Sequence, residues 1–207
     1  LNLSSLRAVV NCSEPVRAES MDAFLDRFRD HALSPSSLHC CYAMAEATFA
    51  VTQTSAADPP RRLRIDGPAY TRGHVLQHAD GARTIVSCGR PIPGMEVRVV
   101  APDESELPEG QVGEIWLRGT SIMEDYLDAP ADPATRRRAF RGDWYRTGDL
   151  GTVLAGHVYV AEAVHDRSEG LMVAWEQLAG ERIEACVVLD YLDPVAARTR
   201  EHRLALE

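Results

Sequence analysis

Lysine is absent from this sequence of 207 residues, and all 22 basic residues are arginine. A mechanism that needs an amine nucleophile, or a phosphate loop that needs its lysine, therefore cannot be completed by this chain alone. Positive charge is also scarce, since the formal net charge is −9. This balance argues against a nucleic-acid-binding protein, because contacts to phosphates need a basic face.

Long apolar runs and a signal peptide are also missing. No apolar run approaches the roughly 18 residues of a membrane-spanning helix, and the first residues have neither the basic start nor the apolar core of a signal peptide. The cysteines are odd in number and show no zinc-ligand spacing; they are Cys12, Cys40, Cys41, Cys88 and Cys186. We interpret them as reduced thiols of a cytoplasmic protein. Because the chain starts without Met, directly in a strand-like run, we expect it to be a piece of a longer protein.

The first 62 residues carry the pattern of an α/β layer. LRAVV (6–10) predicts a buried strand, and a second strand is predicted over residues 38–43. Between them, residues 17–32 predict a helix because Met21, Phe24, Leu25 and Phe28 recur at spacings of three and four. The loop of Ser13, Glu14 and Pro15 would lie at the carboxyl end of the first strand, where such folds bind ligands.

The middle of the chain has a different pattern. SAADPPRR at about 55–62 predicts a linker or surface loop, and short strands with frequent turns follow it. The predicted strands are EVRVV (96–100), EIWLRG (114–119) and GHVYVAEA (156–163). We therefore predict an α/β portion over residues 1–62, an antiparallel sheet or small β-barrel over 63–163, and a divergent α/β tail over 164–207. The basic run Arg136–Arg138 is interpreted as a solvated helix face.

One acidic residue, Glu46, stands inside the small and apolar run CYAMAEATFAVT (41–52). Burying an unpaired carboxylate costs several kcal/mol or shifts its pKa until it is neutral. The sequence therefore leaves two possibilities. Either Glu46 is an exposed loop residue, which is the usual state of glutamate, or a cation meets it.

Several separated stretches together resemble the acyl-adenylate-forming enzymes, and most closely the fatty acyl-AMP ligases. They are NCSEPVR (11–17), CYAMAEATF (41–49), VSCGRPIPGMEVRVV (86–100), VGEIWLRGTSIMEDYL (112–127) and DWYRTGDLG (143–151). The resemblance covers roughly residues 1–160. GEIWLRG and YRTGDLG are the specific stretches, and AEAT in place of the more general TE indicates the fatty-acyl branch.

The resemblance implies the carboxyl-terminal part of an adenylate-forming N-domain, in which an α/β sandwich portion precedes a small distorted β-barrel. It implies that the parent enzyme converts a fatty acid and ATP to acyl-AMP, then passes the acyl group to the phosphopantetheine arm of an acyl carrier protein. Glu46 would bind Mg²⁺, whose preferred ligands are hard oxygens, and the Thr48 hydroxyl would donate to a phosphate oxygen. The carboxylate of Asp149 would accept hydrogen bonds from the ribose hydroxyls.

The adenine contacts are implied in the same way. Tyr42 and Ala43 would lie beside the base, and Ser13, Glu14 and Pro15 would line it. From local sequence alone, Tyr42 can also be a core aromatic and Asp149 a turn residue, since Gly-Asp pairs are common in loops.

The sequence also departs from the family pattern. Cys12 and Ala43 stand where the family has glycine, and only Asp166 matches the Gly-Arg-x-Lys-Asp hinge across residues 162–166. The family's lysine-bearing phosphate loop and lysine-bearing C-terminal domain have no match. Two hypotheses follow. The chain is part of a fatty acyl-AMP ligase and has little or no activity alone, or it is a non-catalytic remnant that serves as an interaction or scaffold module.

Overall fold

The computed structural model describes residues 2–12, 15–71, 73–75, 83–125 and 139–161. The first sheet has the strand order β1-β2-β3-β6, with β1 parallel to β2 and the other pairs antiparallel. These strands are Val9–Asn11 (β1), Leu38–Ala43 (β2), Ala50–Gln53 (β3) and Arg90–Pro91 (β6). The predicted strand over residues 38–43 is confirmed, whereas the first strand begins and ends later than predicted.

Helix α1 (Ala18–Arg27) connects the parallel strands β1 and β2. Its buried residues Ala18, Met21 and Phe24 pack against the sheet through Leu38 and Cys40 of β2, so the predicted apolar face is confirmed. The predicted extension to residue 32 is wrong. The chain tightens after the helix into a 3₁₀ turn at Arg29–His31, and Ala32 then adopts a left-handed conformation (φ 57°) that ends the helical path.

The second sheet is antiparallel and curled, with the order β11-β10-β8-β7 and the short strand β9 on β10. Its strands are Met95–Val100 (β7), Gly113–Gly119 (β8), Phe140–Arg141 (β9), Trp144–Leu154 (β10) and His157–Val160 (β11). A separate antiparallel pair, β4 (Arg62–Ile65) and β5 (Arg83–Val86), accompanies the short helix α2 (Gly67–Thr71). The predicted antiparallel, barrel-like part of the chain is confirmed.

One hydrophobic core joins the first sheet to the second. Its buried members come from both sheets: Tyr42, Ala47, Val51, Cys88, Met95, Ile115, Leu117, Tyr145 and Val158. Full burial of a Val, Leu or Ile side chain stabilises a fold by roughly 1.5–3 kcal/mol. The packing therefore holds the end of β2 against β8 and β10, and this contact positions the candidate site.

The opposite face of the second sheet carries an alternating stack of arginine and tryptophan. The Arg98 guanidinium lies 4.7 Å from the ring centroid of Trp116 and 4.1 Å from that of Trp144. Arg118 also lies over the Trp144 ring, 4.7 Å from its centroid, and Arg146 lies 5.5 Å from the Trp116 centroid. Cation–π contacts of this kind contribute about 0.5–2 kcal/mol each, so the stack ties together strands β7, β8 and β10.

Loop 55–61 follows β3 and is attached to the second sheet through Asp58. The carboxylate of Asp58 accepts a hydrogen bond from Arg90 Nε (3.1 Å) and lies 3.2 Å from Nε2 of the fully buried His157. The backbone N–H of Arg61 donates to the Ser87 hydroxyl at 2.9 Å. The loop predicted as a linker therefore packs on the sheet that follows it.

The expected helix face at Arg136–Arg138 and the expected tail over residues 164–207 lie outside the described residues. Among the residues that are described, no helix is both long and apolar enough to cross a membrane.

Gly89 permits the closest backbone approach between the loop before β6 and strand β3. Its φ is +92°, and a Cβ would collide with the Gln53 carbonyl and lie 2.5 Å from the Thr54 nitrogen. We expect Gly89→Ala to lower the free energy of unfolding by about 3 kcal/mol, at the upper end of ordinary substitutions, as measured by urea denaturation.

Gly142→Ala is the matched control, because Gly142 also has a positive φ (+58°) but its Cβ would meet nothing within 4 Å. The free energy of unfolding of this variant should fall only by the cost of a left-handed backbone conformation for alanine, about 1 kcal/mol. Equal losses in the two variants would show that the close approach at Gly89 does not matter.

Candidate nucleotide site

Glu46 lies in a short 3₁₀ turn, Ala45–Ala47, directly after β2. Its side chain is buried, with 7% of the residue exposed, so the interpretation of Glu46 as an exposed loop residue is wrong. The backbone N–H of Met123 donates to the Glu46 carbonyl at 2.8 Å, which attaches the turn to the loop after β8. The backbone of Glu46 is therefore attached both to the end of β2 and to the loop after β8.

Asp149 lies on an irregular part of β10. From the pair Arg146–Trp116 to the pair Leu150–Glu114, β10 advances by four residues while β8 advances by two. The extra residues of β10 form a bulge in which Gly148 has a φ of +76°. We call residues 147–149 the β10 bulge. It redirects the strand so that the Asp149 side chain faces the first sheet.

The Thr147 hydroxyl organises the β10 bulge. It donates to the Ile115 carbonyl at 2.7 Å and accepts a hydrogen bond from the Asp149 backbone N–H at 3.0 Å. One hydroxyl thus satisfies two backbone groups that the irregular strand leaves without ladder partners.

A hydrogen bond joins the two sheets at the site. The Tyr42 hydroxyl on β2 donates to Asp149 Oδ2 on β10 at 2.6 Å. The Tyr42 ring belongs to the core between the sheets, as the alternative interpretation of this residue as a core aromatic had it. Burial, followed by the charge of Asp149, raises the pKa of the Tyr42 hydroxyl well above its ordinary value. Tyr42 therefore acts as a hydrogen-bond donor and keeps its proton.

Acidic neighbours surround the half-buried Asp149 carboxylate. Burial raises the pKa of Asp149 most, the hydrogen bond from Tyr42 opposes this shift, and the charges of Glu46 and Glu114 raise the pKa further. The charge of Glu46 thus acts on the Asp149 carboxylate, although the turn of Glu46 follows β2 of the first sheet and Asp149 lies on β10 of the second. Such a place favours the binding of a cation and of hydroxyl donors.

Thr48 is exposed and has an unusual backbone, with φ 67° and ψ −46°. A positive φ is rare for a β-branched residue, and such residues are concentrated at functional sites. Its hydroxyl donates to the Ser121 carbonyl at 3.2 Å. The turn that holds Glu46 thus ends in a strained residue that is also attached to the loop after β8.

The structure describes only some of the remaining residues that were predicted to contact adenine. Ala43 is half-buried at the end of β2, where the pairing with β3 shifts register. Pro15 is half-buried and borders a cleft of about 350 Å³ between the start of α1, α2 and β5. That cleft does not include Tyr42, Glu46 or Asp149. Ser13 and Glu14 lie outside the described residues.

The carboxylates of the site suit an Mg²⁺ ion that is bound together with the phosphates of a substrate. Within the described part of the chain, no group of three or more His, Cys, Asp and Glu could hold a metal ion alone. Mg²⁺ is, however, usually bound through one or two carboxylates together with waters and substrate phosphates. The buried carboxylate of Glu46 is the type of oxygen ligand that a partial site of this kind would use.

Two residues of the site were not predicted from the sequence. Thr147 and Glu114 lie in the stretches YRTGDLG and GEIWLRG, which we quoted for their resemblance without assigning roles to these side chains. The sequence did contain a signal for Thr147, because a threonine hydroxyl in a turn commonly accepts a hydrogen bond from the backbone N–H two residues later. The sequence did not show that the Thr147 hydroxyl contacts Ile115 of β8, which is 32 residues away.

Comparison with known proteins decides the family. The family model for AMP-binding enzymes matches residues 1–127, which is more than half of the chain. The chain belongs to the AMP-binding enzyme family.

Relatives within this family are fatty-acyl ligases. The chain is 32% identical over 182 residues to a medium-chain-fatty-acid–[acyl-carrier-protein] ligase, TtuA, of Teredinibacter turnerae, covering 80% of the chain and 28% of the relative. It is 30% identical over 212 residues to a long-chain-fatty-acid–AMP ligase, FadD26, of Mycobacterium marinum, covering 92% of the chain and 36% of the relative.

A solved structure shows the same fold. The fatty acyl-adenylate ligase of L. pneumophila, in complex with acyl adenylate and pyrophosphate, superposes with a TM-score of 0.72 at 29% identity, covering 86% of the chain and 31% of that protein. The expected fold, part of an adenylate-forming N-domain, is confirmed. The chain spans about a third of the length of these AMP-binding family members.

The burial of Asp149, together with its acidic neighbours, predicts a pH-dependent effect on stability. Because its pKa is raised in the folded chain, folding favours the protonated carboxyl. The stabilisation from this preference is complete when the pH is below the ordinary aspartate pKa of 3.8, and it is lost as the pH rises through the pKa of Asp149 in the folded chain. Asp149→Asn keeps an acceptor for Tyr42 and does not ionise. We expect this variant to be more stable than the wild-type chain near neutral pH, with a smaller difference at lower pH, by urea denaturation.

Asp103→Asn is the opposite-sign control. Hydrogen bonds from the Ser105 hydroxyl and backbone hold the pKa of Asp103 below its ordinary value, so this variant should lose stability near neutral pH. If Asp149→Asn also lost stability there, the repulsion inferred at the site would be wrong.

Proposed function

We propose that the chain is the nucleotide- and metal-binding part of a fatty acyl-AMP ligase. The parent activity is the ATP-dependent conversion of a fatty acid to an acyl-adenylate, followed by transfer of the acyl group to an acyl carrier protein. The observation that supports this proposal most directly is the convergence of Asp149 and Glu46. Tyr42 binds Asp149 at 2.6 Å, and the Glu46 charge acts on the same carboxylate.

The reaction requires a carboxylate to attack an anionic α-phosphate, so charge repulsion is its main obstacle. Bound Mg²⁺ would neutralise part of this charge and polarise the phosphoryl oxygens. Glu46 would hold the ion through a carboxylate oxygen, and the Thr48 hydroxyl would turn from Ser121 to donate to a phosphate oxygen. In this assignment Glu46 and Thr48 are the catalytic residues of the chain.

Asp149 would bind the ribose of ATP, AMP or the acyl-adenylate. A carboxylate has acceptor sites for several donors, and Tyr42 uses only part of this capacity. The other acceptor positions of Asp149 suit two vicinal hydroxyls. Tyr42 and Ala43, together with Ser13, Glu14 and Pro15, would line the adenine.

We infer that the chain alone is inactive or very weakly active. Most of the rate of phosphoryl chemistry comes from positioned charges and donors, and loss of a single such donor can cost about 10²–10³ in rate. The chain has no lysine to supply one. Binding of the nucleotide and its chemistry are therefore separate questions for this chain.

The substrates and partner follow from the relatives. The L. pneumophila ligase was solved with acyl adenylate and pyrophosphate, and TtuA is named a ligase of acyl carrier protein. We infer a fatty acid or acyl-adenylate as ligand, an acyl carrier protein as partner, and a role in lipid or polyketide biosynthesis. Free thiols at Cys12, Cys40, Cys41 and Cys88 support a cytoplasmic location.

A specific observation also favours a second candidate, a non-catalytic scaffold. Residues 162–166 are Glu-Ala-Val-His-Asp where the family resemblance implies a Gly-Arg-x-Lys-Asp hinge. Loss of the arginine and lysine of that hinge would remove groups needed for turnover while leaving the two sheets intact. In this case the chain would still fold but would bind no nucleotide.

Removal of the Asp149 carboxylate tests the ribose assignment. A hydrogen bond to a charged group contributes about 1.5–3 kcal/mol. Asp149→Ala should therefore weaken binding of a non-hydrolysable acyl-adenylate by about tenfold to a hundredfold, measured by isothermal titration with Mg²⁺ present.

Asp30→Ala is the control, because Asp30 is an exposed residue of the 3₁₀ turn after α1 and takes no part in the proposed site. It should bind as the wild-type chain does. Absence of binding heat for the wild-type chain would reject the ligase assignment and favour the scaffold.

Glu46→Gln tests the metal assignment. The amide keeps the size of the side chain but loses the charge that Mg²⁺ needs. We expect the gain in ATP affinity on addition of Mg²⁺ to fall by about tenfold, with little change in affinity when Mg²⁺ is absent. Glu96→Gln, which changes an exposed carboxylate paired with Arg118, should keep the full gain. If Mg²⁺ raised the ATP affinity of Glu46→Gln as much as that of the wild-type chain, Glu46 would not be a ligand of the metal.

A further inference from the structure

Glu114 lies beside the β10 bulge and is not used by the proposed chemistry. It is the residue of β8 that pairs with Leu150, immediately after the bulge. Its side chain is only 20% exposed, and that of its partner Arg146 is 30% exposed. Because the pair is shielded from solvent, its contacts are stronger than those of an exposed ion pair.

The Glu114 carboxylate holds both ends of the turn that leads to Asp149. On the near side, Arg146 donates to it from Nη2 at 2.9 Å and from Nε at 3.3 Å. On the far side, the backbone N–H of Gly148 donates to Oε1 at 3.3 Å. One side chain therefore spans the residues between which the register of β10 shifts.

The geometry of the bulge decides where the Asp149 carboxylate points. Asp149 follows Gly148 directly, and its own N–H is bound by the Thr147 hydroxyl. A change in the backbone at Gly148, which has a φ of +76°, would turn the Asp149 side chain away from Tyr42. Tyr42 is buried in the core and cannot follow it.

The arrangement also has an electrostatic cost. Glu114 places a second negative charge near Asp149 and helps to raise its pKa. A residue that served only to stabilise the strand pair would do so better without this repulsion. Its presence here is explained if the position of Asp149 matters more than the stability of β10.

We propose that Glu114 is a positioning residue for nucleotide recognition, because its contacts with Arg146 and Gly148 fix the β10 bulge so that the Asp149 carboxylate faces Tyr42 and the ribose. The ribose part of this proposal rests on the proposed function. The part that concerns the direction of Asp149 does not.

The test compares Glu114→Ala and Glu114→Gln with the wild-type chain. The ligands are a non-hydrolysable acyl-adenylate and its 2′,3′-dideoxyribose analogue, and the readout is the ratio of their two affinities. We expect Glu114→Ala to reduce the preference for the ribose form by about tenfold. Glu114→Gln, whose amide oxygen still accepts from the Gly148 N–H, should recover part of it. A purely structural role would lower the unfolding midpoint and leave this ratio unchanged.

A second readout needs no ligand. The ¹³C shift of Tyr42 Cζ in the free chain reports the hydrogen bond to Asp149, and it should move in Glu114→Ala. Glu96→Ala is the matched control. Glu96 makes the same kind of pair with Arg118, at 3.1 and 2.6 Å on the same sheet, but away from the bulge. This variant should change neither the Tyr42 shift nor the ribose preference.

Unchanged ribose preference and an unchanged Tyr42 shift in Glu114→Ala would overturn the proposal. If the wild-type chain bound neither ligand, the proposed function would fail and the Tyr42 shift alone would decide the role of Glu114. If Glu114→Ala did not fold, Glu114→Gln would take its place. A Glu114→Gln chain with wild-type ribose preference and a wild-type Tyr42 shift would then overturn the proposal.

Discussion

The hydrogen bond from the Tyr42 hydroxyl to the Asp149 carboxylate joins the end of β2 to the bulge of β10. It forms because the core between the two sheets buries the Tyr42 ring and holds the strands together. Glu46 lies four residues beyond Tyr42 and is carried into the same place by the 3₁₀ turn. The candidate site therefore depends on sheet-to-sheet packing, and a change in that packing would separate its two carboxylates.

Three carboxylates interact electrostatically at the site: Asp149, Glu46 and Glu114. Burial raises the pKa of Asp149 most, the charges of Glu46 and Glu114 raise it further, and Arg146 pairs with Glu114. Carboxyl groups with perturbed pKa values are concentrated at functional sites. The strained Thr48 at the end of the same turn belongs to the same pattern.

The recognition of a nucleotide and the chemistry on it are distributed differently along such a protein. The chain carries the two carboxylates that we propose bind Mg²⁺ and ribose, yet it contains no lysine and spans about a third of the length of its relatives. A carboxylate can bind hydroxyls or a cation but cannot neutralise phosphate charge by itself. Nucleotide binding by this chain therefore does not require that the chain catalyse adenylation.

The sequence by itself determined the helix face of α1, the strand over residues 38–43, the barrel-like second sheet and the motifs that indicate adenylate chemistry. These follow from the spacing of apolar residues and from short stretches of chain, which are local properties. The burial of Glu46, the bond between Tyr42 and Asp149, and the hold of Glu114 on the bulge were decided only by the tertiary structure. The residues of that bond are 107 positions apart, and only the packing of two sheets, which no local pattern encodes, brings them within hydrogen-bonding distance.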